Sequence, residues 1–351
     1  MSRKRNFRER LRQFPRLLLA SLKKDGALPI RQTASNGVSR IGVLLCAKDV
    51  TEPALRFLVL QMNCLQSSFE FEFLPVPDDD PFIRNMSSRS TLYRKGVRDA
   101  IPSFVQRYQR YLYDQISAFK LREQPPENIV IVSLIRFDDN YYSMREGPVS
   151  VLALGRWERA MAPPSLLEFV LTLLMREAVA VVSPSMRGSV HLGNKGCLFD
   201  FTRSLSEVRQ KVLLGFVCTY CRNALESDGF PLLASQMERV LSKEWLGKPT
   251  DPDSPSGIAS KLGHDLFITK GLKPTPWESV QITMRQEGVK QLITVFGTVL
   301  AGVLLAALLL LLNLRQPSDR ATPSTTSPST TSISTTTTIG RAMRQIEAHG
   351  T

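Results

Sequence analysis

Residues 292–314 form an apolar run of 23 residues without a charged side chain. As an α-helix this run would span about 34 Å, against roughly 30 Å for the hydrocarbon core of a bilayer. The sequence therefore predicts a single transmembrane helix over 292–314. Small residues recur within it at four-residue spacing, at Thr294, Thr298, Gly302 and Ala306. Such a stripe can pack two helices closely, so a homodimer through this segment is one expectation; the abundance of small residues in membrane helices is the alternative explanation.

The chain before this segment is expected to lie in the cytosol. No apolar run near its start is long enough for a signal peptide, and residues 1–24 hold nine Lys or Arg against the single acid Glu9. Most of the formal net charge of +13 thus comes from a basic arm, predicted over 1–35, and the rest of the chain gives little reason to expect nucleic-acid binding.

Apolar residues recur within the arm at steps of three and four, from Phe7 to Leu22. This spacing indicates an amphipathic helix that could lie on anionic lipid. A solvated terminus and an organelle transit peptide are the alternatives. The tail, 315–351, is expected outside the membrane as a disordered spacer, because fourteen of the seventeen residues 322–338 are Ser or Thr. A glycosylated stalk would have the same composition.

Between the arm and the membrane segment, residues 36–248 mix two apolar periodicities, which predicts an α/β or α+β core with a mixed sheet and helices. The predicted strands are 41–46, 69–73, 129–135 and 149–154. Five helices are predicted. The first begins near Pro53, and the second covers much of 91–119 with an interruption near Pro102. The third runs from a Ser165/Glu168 capping box to about Val182, the fourth from a Ser204/Glu207 box to Gly215, and the fifth lies within 231–245. The polar stretch 249–291 is predicted to be a linker and a membrane-proximal segment.

Four potential metal ligands lie close together in the sequence: His191, Cys197, Cys218 and Cys221. Zinc takes four such ligands in a tetrahedron, and a Cys-x-x-Cys turn supplies two of them from one knuckle. In a reducing compartment the pattern favours a metal over a disulfide. We predict a structural zinc site at 191–221, with buried unliganded thiols as the alternative.

At these residues the sequence resembles the archaemetzincin-type zinc peptidases. Their motif H-E-x-x-H-x-x-G-x-x-H is followed by two cysteines and a later C-x-x-C. The matching positions are Gly188, His191, Cys197, Cys218, Cys221 and the segment 201–205. The resemblance covers about residues 36–225 and implies a zincin-like fold.

The departures from this family fall on the catalytic positions. Val181, Val182 and Ser185 stand where the motif has its first His, its Glu and its second His, and none of them can hold zinc or act as a general base. Leu192 replaces the first structural cysteine, which leaves His191 as its substitute. The resemblance therefore implies no catalytic residues. Together with the apolar run 292–314, the missing catalytic residues and the retained knuckle lead to the hypothesis of a membrane-anchored, inactive zincin-like domain that binds a protein or peptide at the inner face of the membrane, beside 166–182.

Two other functions stay open at this point. An active zinc-dependent hydrolase could use Asp138, Asp139 or Glu177 around His191, and a weaker hypothesis is nucleic-acid binding through the knuckle and the arm. We also expect Asp200 either to accept a hydrogen bond from a metal ligand or to cap a turn. His264 is expected to titrate in solvent.

Overall fold

The computed structural model describes residues 38–47, 53–188, 191–192 and 195–311. Within these ranges the side chains of 287, 289–296 and 309–311 are not described. The predicted arm, 1–35, and the predicted tail, 315–351, lie outside the described residues. Contacts divide the chain into two units, Met1–Lys290 and Gln291–Thr351, and the fold below is that of the first.

A five-stranded sheet forms the centre of this unit, in the order β2-β1-β4-β7-β6. All neighbouring strands are parallel except β6, which is antiparallel to β7 at the edge of the sheet. A separate parallel pair joins β3 to β5. The strands are β1 (Ser39–Leu45), β2 (Phe69–Phe73), β3 (Thr91–Leu92), β4 (Asn128–Ser133), β5 (Arg136–Phe137), β6 (Ser143–Glu146) and β7 (Val149–Ala153).

Nine α-helices lie in the described part of the chain. They are α1 (Pro53–Met62), α2 (Pro81–Met86), α3 (Arg94–Ala118), α4 (Leu166–Val182), α5 (Leu205–Leu214), α6 (Thr219–Ser227), α7 (Leu233–Ser242), α8 (Pro255–Lys261) and α9 (Pro276–Leu311). Helices α2 and α3 pack on one face of the sheet, while α1 and α4 to α8 contribute to the core on the other face. The prediction of a mixed α/β fold is confirmed.

Helix α4 is the central helix of the larger core. Ser165 accepts a hydrogen bond from the Glu168 backbone N–H, and the Glu168 carboxylate accepts one from the Ser165 backbone, so the predicted capping box is present. Apolar side chains are buried around nearly its whole circumference, as the sequence predicted, and the helix packs against β1, β4, α1 and α5.

Two sequence predictions are wrong in this part of the fold. Helix α3 continues through Pro102 without interruption, because the proline lies on the exposed face and the buried stripe from Val97 to Leu112 holds the helix against the sheet. The set of predicted strands is also incomplete, since it lacks β3, β5 and the edge strand β6, which turns into β7 at Gly147, where φ is +53°.

The prediction of a linker within 249–291 is also wrong, because this segment contains α8, which packs against α1. Its small residues allow close packing: a Cβ on Gly257 would lie 1.8 Å from the carbonyl oxygen of Asp251. The buried hydroxyls are satisfied locally, since Ser254 Oγ accepts from the Gly257 N–H and Ser256 Oγ donates to the Gly247 carbonyl. A Ser- and Pro-rich composition here encodes a compact turn and helix.

His264 is buried, which corrects the expectation that it titrates in solvent; its exposed fraction is 3%. Burial lowers the pKa of its imidazole to about 4, although a backbone hydrogen bond to Leu272 and the charges of Asp265, Glu278 and Glu168 act in the opposite direction. An unfolded chain therefore binds a proton at His264 in a pH range where the folded chain does not.

We expect the free energy of unfolding to fall as the pH is lowered from about 6.5 towards about 4, by up to about 3 kcal/mol from His264 alone. The stabilisation is complete above the pKa of the unfolded histidine and is lost below it, because the unfolded state is protonated first. Urea denaturation across this range measures the effect. His264→Gln is the comparison, since any acid-induced loss of metal at His191 affects both proteins equally. Parallel pH profiles for the two proteins would contradict the prediction.

Helix α9 is described from Pro276 to Leu311. In the part of the chain that the structure describes, no helix meets the requirements of length and apolar character for crossing a membrane. The transmembrane helix predicted over 292–314 is therefore not confirmed. The side chains of 292–296 and 309–311, and residues 312–314 as a whole, lie outside the described residues.

Candidate metal centre

The four predicted ligands come from separate segments and meet at one point. One donor atom from each of His191, Cys197, Cys218 and Cys221 lies within 4.8 Å of all the others. Among the described residues, no other group of three or more His, Cys, Asp or Glu side chains is placed to hold an ion. The structure thus brings together all four residues that the spacing singled out.

Local structure explains this convergence. Cys218 is the N-cap residue of α6 and Cys221 lies in its first turn, so a three-residue spacing puts both sulfurs on one side of the helix start. Gly215 ends α5 in the left-handed conformation, with φ of +58°. The Leu198 N–H then donates to the Phe216 carbonyl at 2.9 Å, which holds the Cys197 segment beside the α6 segment.

Distances between the donor atoms fit a tetrahedral zinc ion. Sγ of Cys221 lies 3.6 Å from Sγ of Cys218 and 3.8 Å from Sγ of Cys197, and His191 Nε2 lies 3.4 Å from the sulfurs of both Cys218 and Cys221. Zinc–sulfur bonds of about 2.3 Å and a zinc–nitrogen bond of about 2.0 Å require edges of roughly 3.8 Å and 3.5 Å. None of these cysteines forms a disulfide. The site could hold a metal, and its soft donor set suits zinc.

The cysteine sulfur atoms lie at hydrogen-bonding distance from one another. Hydrogen bonding with the Cys221 side chain and with the Cys218 backbone lowers the pKa of Cys197 to about 5, although burial acts in the opposite direction. The hydrogen bond between Cys221 and Cys197, together with burial, raises the pKa of Cys221. Cys197 and Cys221 are both fully buried. A divalent cation would displace the thiol protons and neutralise the resulting thiolates.

The carboxylate of Asp200 lies against the imidazole of His191. Its Oδ1 atom lies 2.5 Å from His191 Nδ1, and its Oδ2 atom accepts from the backbone N–H groups of Lys195, at 2.7 Å, and Cys197, at 2.9 Å. The turn cap expected of Asp200 is therefore present, and its second carboxylate oxygen is placed beside a candidate ligand. A proton on Nδ1 leaves the lone pair of Nε2 directed at the sulfurs, as a zinc ligand requires.

Lys211, which is not among the predicted site residues, is buried next to this site at 1% exposure. Its ammonium group donates to the Asp200 carbonyl oxygen and to Thr202 Oγ1, the latter at 3.3 Å. Burial lowers its pKa to about 8. The position could have been found from the periodicity of α5, because Lys211 falls three residues after Val208 on the buried face of the helix.

We expect Asp200→Asn to weaken zinc binding by about 10- to 100-fold, because the amide is a poorer acceptor for the imidazole N–H that sets the tautomer of His191. Competition against a chromophoric chelator measures the affinity. Asp228→Asn is the matched control, since Asp228 also caps a turn, at Ser183 and Ser185, but touches none of the four candidate ligands. Equal affinities for the two variants would contradict the prediction.

The family's catalytic positions are occupied by packing residues in this chain. Val181 and Val182 end α4 and pack against the core, and Ser185 bonds to Asp228 through both its N–H and its hydroxyl. No second group of metal ligands is found near them in the described part of the chain.

The carboxylates that the hydrolase hypothesis required are engaged elsewhere. Asp138 accepts the backbone N–H of Arg94 and Asp139 pairs with the Arg94 guanidinium at 2.5 Å. Glu177 pairs with Arg176 and Arg145. The structure does not bring any of these carboxylates into the cluster with His191.

The comparisons with known proteins return one relevant structure. No family model and no curated protein matches the chain. A solved structure of an archaemetzincin from Methanopyrus kandleri matches 56% of this chain and 98% of its own length, with 12% identity and a TM-score of 0.36. The match names the family that the sequence motifs resemble, and the His191 and cysteine cluster is present in this chain. A likeness this distant carries no argument about function.

Proposed function

We propose that the chain is a catalytically inactive, zincin-like binding module in which zinc is a structural ion. One observation supports this most strongly: one imidazole and three thiols converge at tetrahedral distances, and all four positions come from the protein. A hydrolytic zinc ion keeps a position open for water and needs a base beside it. Val181, Val182 and Ser185 provide neither a further ligand nor a base.

Metal analysis of the purified chain tests this proposal. We expect one zinc ion per chain, and the cobalt-substituted protein should show the intense sulfur-to-metal absorption of a tetrahedral, thiolate-rich centre. His191→Cys should retain the metal and His191→Ala should lose it. Two zinc ions per chain, or peptide hydrolysis that a chelator abolishes, would show that the protein is an enzyme.

For the binding role, we propose that an extended peptide pairs with β6. Among the described strands, β6 is paired only on its β7 side, and edge strands offer unpaired backbone groups to a further strand. Peptides selected from a random library against the full-length chain provide the test. Only every second N–H group of a bound peptide would donate to β6. N-methylation of the peptide at those positions should abolish binding, and N-methylation at the intervening positions should not. Binding that survives both patterns would exclude strand pairing.

We also propose that the protein is anchored in a membrane, with the zincin-like domain on the cytosolic side and the tail outside. The apolar run 292–314 supports this, as do the valine and leucine side chains of α9 that are more than half exposed: Val299, Leu300, Val303, Leu304, Leu305 and Leu308. The full chain should stay in the membrane pellet after alkaline carbonate extraction, and a chain ending at residue 290 should not. Release of the full chain would refute the anchor. Attachment of the arm to anionic lipid and a homodimer through 292–314 stay predictions.

A further inference from the structure

A cavity of about 290 Å³ lies away from the metal centre, at the carboxyl ends of β4 and β7. Four basic residues line it: Arg89, Arg136, Arg159 and Lys273. The remaining lining residues are apolar or glycine, and no acidic residue is among them. In sheets of this kind the carboxyl ends of parallel strands are where ligands are most often bound.

The positive charge of this cavity is only partly neutralised. Arg159 pairs with Glu278, whose side chain is 9% exposed. Within the described part of the chain, Arg136 and Lys273 form no ion pair with an acid. Among the described residues, the cavity lining therefore includes at least two basic residues without an acidic partner, and a concave surface of this kind attracts and concentrates anions.

Two of the guanidinium groups are held in place before any ligand arrives. Arg136 Nε donates to the Gly155 carbonyl at 2.9 Å. Arg159 Nη2 donates to the Lys273 carbonyl at 3.0 Å, while Nη1 is held by Glu278. An alanine at Gly271 would place its Cβ 3.2 Å from Arg159 Nη2, so the backbone is built close to this guanidinium. Pre-oriented guanidinium groups bind oxyanions with little further loss of conformational entropy.

The cavity also has an apolar lining, which includes Leu134, Leu154, Leu166, Leu272 and Trp157. An inorganic anion would leave this lining in contact with water. A ligand with a small hydrocarbon or aromatic group would cover it and gain the free energy of burying apolar surface.

We propose that this cavity binds a small organic phosphate, with its phosphoryl group at Arg136, Arg159 and Lys273 and its apolar group against the leucines and Trp157. A phosphate monoester carries about −1.5 to −2 at neutral pH, which matches the excess positive charge better than a carboxylate does. The volume suits a ligand of small size, at the lower end of typical ligand sites. This site is independent of the proposed zinc site.

Phenyl phosphate is the probe, with inorganic phosphate and benzoate as comparisons. Each is titrated into the zinc-loaded full-length chain in a nonionic detergent, by calorimetry and by following tryptophan fluorescence. We expect phenyl phosphate to bind at least about tenfold more tightly than either comparison, because only it offers both the dianion and the apolar group. If inorganic phosphate binds as tightly as phenyl phosphate, the proposed apolar contact is wrong. If benzoate binds as tightly, the proposed preference for a phosphoryl group is wrong. If phenyl phosphate does not bind, the proposed site is wrong.

Charge-removing variants locate the binding. Arg136→Gln and Lys273→Gln should each weaken phenyl phosphate at least about tenfold, since each removes a charge-assisted contact to the phosphoryl oxygens. The matched controls are Arg110→Gln and Lys95→Gln, two exposed residues of α3 outside the cavity. Zinc content and thermal midpoint check that all four variants are folded. If the controls weaken binding as much as the cavity variants, the attraction comes from the general charge of the chain and the proposed site is wrong.

Discussion

Removal of zinc is expected to lower the unfolding midpoint of the chain by roughly 10–20 °C, a shift that corresponds to a loss of about 5 kcal/mol in a domain of this size. Structural zinc ions bind with free energies as large as the whole stability of a typical domain. Cys197 and Cys221 are also part of the main core, packed with α4, so an empty site would leave like-charged or unpaired sulfurs inside it. Differential scanning calorimetry with and without chelator measures the shift.

The loss of stability after zinc removal should be confined to the part of the domain that contains the candidate ligands. The ligands tie together the segments around His191, Cys197 and α6, whereas β1 and β4 are held by the sheet. Hydrogen exchange should therefore accelerate at residues 195–225 after chelation and stay slow in β1 and β4.

Two cysteine variants make this prediction specific. Cys221→Ser should be destabilised to a similar extent and should no longer respond to chelator. Cys64→Ser replaces an exposed free cysteine and should behave as the unmodified chain does. A midpoint that chelator leaves unchanged in the unmodified chain would mean that the cluster is held by packing alone, and the structural role of zinc would then be rejected.

The accuracy of the sequence predictions follows the range of the interactions involved. The start of α4 could be predicted because a capping box acts within four residues, at Ser165 and Glu168. The four candidate ligands could be predicted because the Cys-x-x-Cys spacing and the scarcity of histidine are properties of the sequence itself. The role of Asp200 could be anticipated for the same reason, since it lies three residues after Cys197.

The incorrect predictions all depend on contacts between residues that are distant in sequence. His264 is buried by elements that meet only in the folded chain, and α8 forms because α1 offers a surface on which small residues can pack. Pro102 is tolerated because its face of α3 points to solvent. The cavity beside Arg136 and Arg159 combines residues more than a hundred positions apart, and no local pattern indicates it.

Glu177→Gln is expected to destabilise the domain by about 3–5 kcal/mol while leaving its zinc content unchanged. The Glu177 carboxylate is almost fully buried, and it lies 2.7 Å from Arg176 Nη1 and 3.1 Å from Arg145 Nη2. Arg145 also donates to the carbonyls of Glu177 and Ala180, so it links β6 to the last turns of α4. Without the carboxylate, two guanidinium groups lose their only charged partner among the described residues and stay desolvated.

The charge state of Glu177 makes the isosteric amide a clean test. Burial alone would raise the pKa of this carboxyl, but the charges of Arg176 and Arg145 outweigh it and hold the pKa below its usual value. The carboxylate therefore stays ionised at neutral pH, and its stabilising contribution is lost only as the pH falls below the ordinary range of a glutamic acid.

Glu146→Gln is the matched control, because Glu146 lies on β6 next to Arg145. Glu146 pairs with Arg98 at 3.4 Å, and both side chains are more than 40% exposed, so its loss should cost no more than about 1 kcal/mol. Urea denaturation gives the difference between the two variants, and metal analysis gives the zinc content of each. A Glu177→Gln protein that is stable but depleted of zinc would make Glu177 a ligand and would favour the hydrolase. A protein that is destabilised with its zinc retained fits a domain in which this carboxylate neutralises arginine and the metal belongs to His191 and the three cysteines.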